Sequence, residues 1–404
     1  MLSARAMDED LMEEDPEELV TDLLDVESVE QLRLRRSVKW RLFPDDVLPL
    51  TVAEMDFALA PAVTAVLREA VERSDSGYAM PDPELGEAIA GFAARRWNWH
   101  LDPSSVTAVA DVGVGVVELL RALTRPGDAV VISPPVYPPF FGWAPEAGVR
   151  ILEAPLVERE QGWRLDLVAL ERAFATHPAV YVLCNPHNPV GRVHEPEELA
   201  ALVRLARIYG VTIISDEIHA PLVLTGAAFT PLLTVPGAAD VAISVMSASK
   251  AWNLAGLKCA AIIAGSPAMR TAVDRLPNDT RWRVGHLGVL ASVGAYTDGV
   301  PWLDRLLATL DHRRFLLGEL LQNRLPAITW HPPEATYLAW LNCQAYGTDD
   351  EPRERFLRQA KVAVEPGLRF GAGGAGYTRL NFGTGAEILE LATERMAAVE
   401  ARRA

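Results

Sequence analysis

Cysteine is scarce in this chain, whose 404 residues contain three: Cys184, Cys259 and Cys343. Each lies in an apolar stretch, and their positions do not match the spacing of a metal site. Disulfide-stabilised small proteins and cysteine-based zinc proteins carry their cysteines in closely spaced sets. We therefore exclude both classes, expect three buried thiols and predict no metal.

The chain also lacks long hydrophobic runs and clusters of basic residues. No apolar run approaches the roughly 20 residues that cross a bilayer, and the N-terminus is acidic. The 38 Lys and Arg residues are outnumbered by 54 Asp and Glu residues, and the net charge of −16 repels polyanions. We expect a cytoplasmic protein that binds neither membranes nor nucleic acid.

Apolar residues are abundant: they make up 50% of the chain and suffice for two large cores. Over residues 53–290, amphipathic helices alternate with β-rich runs, which predicts a three-layer α/β domain with a mostly parallel sheet of the seven-stranded type. The alternation of helices and β-rich runs changes over residues 291–404, which predicts a smaller α+β domain there. We expect residues 17–52 to pack on that small domain, after a mobile acidic leader over residues 1–16.

The β-rich runs define the predicted sheet of the large domain. They are Ala129–Ser133, Val149–Ala154, Val180–Cys184, Val211–Ser215, Val241–Met246 and Cys259–Ala264. Helical spacing predicts a helix over Glu195–Tyr209, closed by Gly210, and another from Pro16 to Leu24. Ligands of open α/β sheets bind at the carboxyl ends of strands, so polar residues that follow the strands are the candidate functional residues.

Lys250 follows the predicted strand Val241–Met246, in the sequence Ser247-Ala248-Ser249-Lys250. A lysine amine is nucleophilic only without its proton, a state that burial beside another cation favours. Taken alone, most lysines at such a position are solvated loop residues. The residues described next favour the interpretation of Lys250 as a buried amine that condenses with an aldehyde.

Asp216 and Asn188 follow two other predicted strands. A buried carboxylate opposite a pyridine nitrogen keeps that nitrogen protonated, so the ring of pyridoxal phosphate can withdraw electrons. The double Asn-Pro pattern around Asn188 forces an extended turn that aims one amide side chain. Each residue by itself is equally typical of a helix cap or a turn. Together with Lys250 they indicate a pyridoxal phosphate site.

Three further patterns fit the same site. Tyr137, in a proline-rich loop, could stack on a planar cofactor, although packing alone explains many such rings. Val112 and Gly113 open an apolar helix whose first amides could face a phosphate, but short glycine pairs are common. Arg379 lies inside an apolar strand, where its guanidinium needs an internal carboxylate or that of a substrate.

Together these motifs resemble the fold type I pyridoxal-phosphate superfamily, the aspartate-aminotransferase-like enzymes, from about Val38 to the C-terminus. Within it, five sequences resemble the branch of cystathionine β-lyase and cysteine-conjugate C–S lyases. They are Ser37-Val38-Lys39-Trp40, Val52-Ala53-Glu54-Met55-Asp56-Phe57, Pro135-Val136-Tyr137, Asp216-Glu217-Ile218-His219-Ala220 and Arg379-Leu380-Asn381-Phe382. Thr51 departs from this branch, which usually has Trp there.

The resemblance implies a role for each candidate. Lys250 would hold pyridoxal 5′-phosphate as an imine, Asp216 would pair with the pyridine nitrogen, and Tyr137 would stack on the ring. Asn188 would bind the ring hydroxyl, near His219. The implied phosphate ligands are Val112, Gly113, Ser247, Ser249, Lys258 and, from a neighbouring subunit of a homodimer, Tyr78. The implied substrate contacts are Arg379, Asn188, Tyr137 and Ala53.

The function that the resemblance implies is C–S β-elimination from cystathionine or an S-substituted L-cysteine, which releases a thiol, pyruvate and ammonia. An aminotransferase is the first alternative, because both reactions begin by removing the α-proton of the substrate. The second alternative is a regulatory or binding protein that keeps the fold and cofactor and contacts a partner through its acidic leader. An intact set of Lys, Asp, Asn, Tyr and Arg favours catalysis.

Overall fold

A computed structural model describes residues 23–80, 83–346 and 352–401 of the chain. The acidic leader and most of the predicted helix Pro16–Leu24 lie outside these residues. Leu24 itself is described and is not helical, so the predicted end of that helix is wrong. The Leu24 backbone N–H instead donates to Thr309 Oγ1 at 2.9 Å, and the first helix within the described residues begins at Val29, after Ser28 caps it.

Helices and strands alternate through most of the described chain. The α-helices are α1 Val29–Leu32, α2 Val38–Arg41, α3 Pro61–Glu72, α4 Glu84–Trp97, α5 Val112–Leu123, α6 Pro139–Glu146, α7 Leu167–Phe174, α8 Pro196–Tyr209, α9 Pro267–Val273, α10 Asn278–Trp282, α11 His286–Thr297, α12 Val300–Arg324, α13 Pro352–Arg355 and α14 Ala386–Ala401. The strands are β1 Leu48–Pro49, β2 Val106–Val109, β3 Ala129–Ile132, β4 Arg150–Glu153, β5 Val157–Arg159, β6 Gly162–Arg164, β7 Val180–Cys184, β8 Thr212–Asp216, β9 Ala242–Met246, β10 Ala260–Ala264, β11 Thr329–Trp330, β12 Leu338–Asn342, β13 Val362–Ala363, β14 Glu365–Pro366 and β15 Tyr377–Asn381.

The large lobe is built on a seven-stranded sheet in the order β2-β10-β9-β8-β7-β3-β4. Strand β10 runs antiparallel to both of its neighbours, and every other pairing in the sheet is parallel. The predicted three-layer α/β fold with a mostly parallel sheet is therefore confirmed. Strand β2 was absent from the predicted set, because Thr107 and Ala108 make its four-residue run less apolar than that of the equally short β3.

Helices cover both faces of this sheet. In β7, Val180 and Val182 pack in a cluster with α5, α6 and α9, whereas Tyr181 and Leu183 pack on the opposite face with α7 and α8. Successive side chains of a strand point to opposite faces, so a strand that is covered twice must be apolar throughout. This explains why the central strands read as continuous apolar runs in the sequence.

The smaller C-terminal lobe contains an antiparallel sheet in the order β11-β12-β15-β14. Helix α12, 25 residues long, leads into it, and α14 packs against α12. The short strand β1 pairs in parallel with β13, so residues 48 and 49 lie against the C-terminal part of the chain. No helix among the described residues has the length and apolar character that a bilayer span requires.

A buried ion pair fixes the segment that enters the large lobe. Lys39 Nζ lies 2.7 Å from Asp56 Oδ2, and both side chains are 1% exposed. Trp40 Nε1 donates to the other carboxylate oxygen at 2.8 Å, and Lys39 Nζ also donates to the Glu54 carbonyl. Two of the sequences quoted for the resemblance, around residues 37–40 and 52–57, thus meet in space.

The substitution Asp56→Ala should reduce the free energy of unfolding by about 3–5 kcal/mol, because it leaves the buried Lys39 ammonium without its counter-charge. Chemical denaturation followed by circular dichroism measures this effect. The control is Asp279→Ala, which breaks an ion pair with Arg283 whose side chains are 67% and 71% exposed, and which should cost less than about 1 kcal/mol. Equal small losses in the two variants would contradict a structural role for the buried pair.

Candidate active site

A cavity of about 300 Å³ opens at the carboxyl edge of the large sheet. Strands β3, β7, β8 and β9 are parallel neighbours, so their carboxyl ends meet at one edge and bring distant parts of the sequence together. The predicted residues that line the cavity are Ala53, Val112, Gly113, Tyr137, Asn188, Asp216, His219, Ser247, Ser249, Lys250 and Lys258. Arg379 lies directly behind Asn188, and Tyr78 lies elsewhere.

Lys250 reaches the cavity from the turn after β9. Its Nζ donates to the Ala53 carbonyl at 3.0 Å. Burial, with the Arg379 guanidinium as the next contribution, lowers the pKa of Lys250 to about 8. The amine is therefore available in its neutral, nucleophilic form near physiological pH.

Asp216 is the last residue of β8 and is 3% exposed. One carboxylate oxygen accepts a hydrogen bond from the Ile218 backbone N–H at 3.1 Å. Burial raises the pKa of Asp216 to about 7, while that N–H and the charge of Lys250 act in the opposite direction. The ionised form of a carboxyl group in this position is stabilised most by a cationic partner inside the cavity.

Arg379 and Asn188 form a pair behind the cavity. Arg379 Nη1 donates to Asn188 Oδ1 at 3.1 Å, and Nη2 donates to the Thr51 carbonyl at 2.9 Å. The guanidinium is 4% exposed and lies over the Phe370 ring, and burial lowers its pKa. Among the described residues its Nε has no acceptor. A buried cation held only by neutral oxygens is well suited to an anionic ligand.

The N-terminus of α5 forms the opposite wall. Asp111 caps this helix by accepting from the Val114 N–H at 2.9 Å, which leaves the N–H groups of Val112 and Gly113 without helical acceptors. A Cβ on Gly113 would lie 3.0 Å from Trp143 Nε1, so a larger residue would crowd this wall. These amides and the helix dipole favour an anion such as a phosphate.

The side chains around this helix end differ in how far their polar atoms are already bound to neighbouring groups. Ser247 Oγ donates to the Cys259 carbonyl at 2.7 Å and accepts from the Ser249 N–H at 3.1 Å, which fixes the turn before Lys250. Lys258 Nζ lies 3.2 Å from Asp111 Oδ2 and is 55% exposed. The Lys258 charge therefore offsets that of Asp111 at the cavity mouth.

Tyr137 and His219 complete the lining. Tyr137 is half-buried and packs edge-on against Trp143, with 6.1 Å between ring centroids, and burial raises its pKa. His219 is 3% exposed, and burial lowers its pKa to about 3, so its ring is neutral. Its Nδ1 is buried without a partner among the described residues. A buried ring nitrogen of this kind calls for a ligand with a complementary polar group.

Tyr78 is the predicted residue that the structure does not bring to this cavity. Its side chain is 84% exposed and packs edge-on against Trp282, with 6.0 Å between the ring centroids. The phosphate role predicted for it concerned a neighbouring subunit, so it stays a prediction.

Sequence reasoning missed several residues that shape the site. Trp143 lines the cavity, six residues after Tyr137. Tyr337 OH donates to the Ala53 carbonyl at 2.9 Å, and Asn381 Nδ2 donates to the carbonyls of Val52 and Glu54. The sequence did contain a signal for Asn381, because residues two apart in a strand share a face and Arg379 was already expected inside a strand. Tyr337 carried no such signal.

The residues of this cavity fit pyridoxal 5′-phosphate. An amine of lowered pKa, a buried carboxyl group and a helix N-terminus match the aldehyde, the pyridine nitrogen and the phosphate of this cofactor, respectively. His219 Nδ1, which is buried and has no partner among the described residues, adds a further polar atom to the site. The described residues contain no group of three or more His, Cys, Asp or Glu side chains suited to a metal ion.

Comparison with known proteins agrees with the geometry. The family model described as aminotransferase class I and II matches residues 45–394. A Mycobacterium leprae protein named for cystathionine beta-lyase is 46% identical over 391 residues, which cover 91% of this chain and 96% of that protein. Cystathionine beta-lyase of Corynebacterium glutamicum is 37% identical, with 92% and 98% covered.

A solved structure shows the same fold. Cystalysin from Treponema denticola, which contains pyridoxal 5′-phosphate, superimposes with a TM-score of 0.88 at 27% identity, covering 95% of this chain and 99% of that chain. The family match spans both lobes and every residue that lines the cavity. The chain belongs to the class I and II aminotransferase family, within the fold type I pyridoxal-phosphate superfamily.

Proposed function

We propose that this protein is a pyridoxal-phosphate-dependent C–S β-lyase that cleaves cystathionine or an S-substituted L-cysteine into a thiol, pyruvate and ammonia. The observation that carries the proposal is the convergence of Lys250, Asp216 and the Arg379–Asn188 pair on one cavity. The relatives named for cystathionine beta-lyase, at 36–46% identity over most of their length, favour elimination over transamination.

When bound, the cofactor supplies an electron-withdrawing ring that stabilises negative charge at the α-carbon of an amino acid. Lys250 Nζ, with its pKa near 8, is the group that accepts the α-proton. Asp216 holds the pyridine nitrogen in its protonated state, because a buried carboxylate requires a cationic partner.

Arg379 provides the anchor for the substrate carboxylate. Its planar fork can form two parallel hydrogen bonds with a carboxylate, because the guanidinium keeps further N–H donors beyond those bound to Asn188 and the Thr51 carbonyl. Asn188, which accepts from Arg379, holds the guanidinium plane in position. Together with Lys250 on the other side, this arrangement orients the Cα–H bond of the substrate toward the amine.

Incubation with L-cystathionine and no added keto acid should release pyruvate and a thiol. The Lys250→Ala variant should lose about 10²–10⁴-fold in kcat, because the proton acceptor is gone. Pyruvate is measured with a coupled dehydrogenase and the thiol with a chromogenic disulfide. Turnover that requires an added keto acid would identify an aminotransferase instead.

Attachment of the cofactor to the apoprotein should become faster as the pH rises and should level off above about pH 8. The neutral amine is the reactive form, and the pKa of Lys250 lies near 8, below the 10.5 of a solvated lysine. Borohydride reduction at fixed times, followed by peptide mass analysis at Lys250, measures the rate. A rate that keeps rising to pH 10 would show that the pKa of the Lys250 amine is not lowered.

We propose a homodimer with shared active sites. Tyr78 and Met80 are 84% and 82% exposed, and Trp282 beside Tyr78 is 63% exposed, an unusual concentration of apolar side chains on one surface. A second copy that covers this surface would place Tyr78 near the partner's phosphate site.

We also propose a cytoplasmic location. The three buried, unpaired cysteines support a reducing compartment.

Hybrid dimers test this arrangement. The variants Tyr78→Ala and Lys250→Ala should each be weakly active, and mixing them after reversible dissociation should restore activity in up to about a quarter of all sites. Each hybrid then contains one site with an intact Lys250 from one copy and an intact Tyr78 from the other. If Tyr78 acts within its own chain, or not at all, mixing will restore nothing.

A further inference from the structure

A second cavity, of about 170 Å³, lies between the β5–β6 hairpin of the large lobe and the sheet of the small lobe. Its walls include Glu158, Trp163, Trp330, His331, Trp340 and Tyr377. None of these residues lines the active-site cavity. The volume is below the roughly 300–1,000 Å³ of pockets for larger ligands, so it suits a group of a few heavy atoms.

The cavity has aromatic walls. Trp340 stacks on Tyr377 with 5.1 Å between ring centroids and 14° between planes, and Trp163 packs edge-on against Tyr377. These three rings are at least 90% buried, and Trp330 adds a fourth. The faces of aromatic rings carry negative electrostatic potential, which attracts cations and weakly hydrated apolar groups.

Glu158 adds a negative charge to these walls. Its Oε2 accepts from Tyr377 OH at 3.2 Å, and its Oε1 lies 3.1 Å from His331 Nε2. Within residues 23–80, 83–346 and 352–401, no Lys or Arg forms an ion pair with this carboxylate. Burial and the Glu158 charge raise the pKa of Tyr377. The cavity therefore carries a carboxylate without a permanent counter-charge.

Trp340 contributes its ring to these walls and not its donor. Its indole N–H is buried, has no acceptor among the described residues and is closed off from the cavity. The chemistry of the walls thus calls for a positive charge in a small molecule.

We propose that this cavity binds a small organic ammonium ion. The positive charge would lie against the aromatic rings and the Glu158 carboxylate. An anion would be repelled by Glu158. A metal ion would find one carboxylate and one imidazole, too few ligands for a typical site.

Three probes separate charge from shape on the full-length holoenzyme. Choline and tetramethylammonium both carry the charge, and 3,3-dimethylbutan-1-ol has the shape of choline without the charge. Isothermal titration calorimetry should show saturable binding of both cations, with the neutral alcohol weaker than choline by about fivefold or more. Equal affinity for choline and the neutral alcohol, or no saturable choline binding, would overturn the proposal.

A pair of variants locates the binding. Glu158→Gln should weaken choline binding by about fivefold, because it removes the charge and keeps the shape. Glu160→Gln removes the same charge from the exposed turn two residues away and should leave binding unchanged. Identical weakening in both variants would mean that the overall charge, and not this cavity, attracts the ligand. If Glu158→Gln does not fold, the comparison of choline with its neutral analogue on the unaltered protein still decides.

Discussion

The active site depends on one short stretch of backbone, residues 51–56, and on the side chains that hold it. Lys39 and Trp40 bind Asp56 from the N-terminal side, and Asn253 binds both the N–H and the carbonyl of Met55. From β15, Arg379 and Asn381 bind the carbonyls of residues 51, 52 and 54. The N-terminal segment, the large lobe and the small lobe are thereby joined at the point where Lys250 meets Ala53.

This constraint explains the electrostatics of the cavity. Lys250, Asp216 and Arg379 are kept away from water, where each charge is poorly solvated and strongly felt by its neighbours. Burial lowers the pKa of Lys250 to about 8 and raises that of Asp216 to about 7, so both groups titrate near neutral pH. A ligand with an aldehyde, a cationic ring nitrogen and a carboxylate offers a reaction partner to Lys250, a cation to Asp216 and an anion to Arg379.

The second cavity follows a different logic. It lies where the β5–β6 hairpin meets the small-lobe sheet, so an occupant would contact both lobes. Its chemistry is aromatic and anionic, whereas the active site combines two lysines with two aspartates at a helix N-terminus. Two cavities of such different character in one chain can select ligands independently.

The sequence predicted well where Asp216 and Lys250 lie relative to their strands, because each is a local pattern: an apolar run that ends in Asp216, or one that leads through a short turn to Lys250. It predicted poorly where a short element or a distant contact decides the structure. Strand β2 was missed because Thr107 and Ala108 make its short run weakly apolar, and the helix that was expected to reach Leu24 does not, since that backbone is bound to Thr309. Tyr337 and Trp143 gave no sign of their place beside Ala53 and Tyr137.

By itself the sequence determined the fold class and the cofactor, and it predicted residues that the structure brings to one cavity, since apolar periodicity and strand-end chemistry are properties of neighbouring residues. The tertiary structure decided the rest: which carbonyl receives Lys250, how far burial moves the pKa of each group, and that Glu158 and three tryptophans from separate segments enclose one space. Those properties depend on the distance and the solvent exposure of groups far apart in the chain, and only packing fixes them.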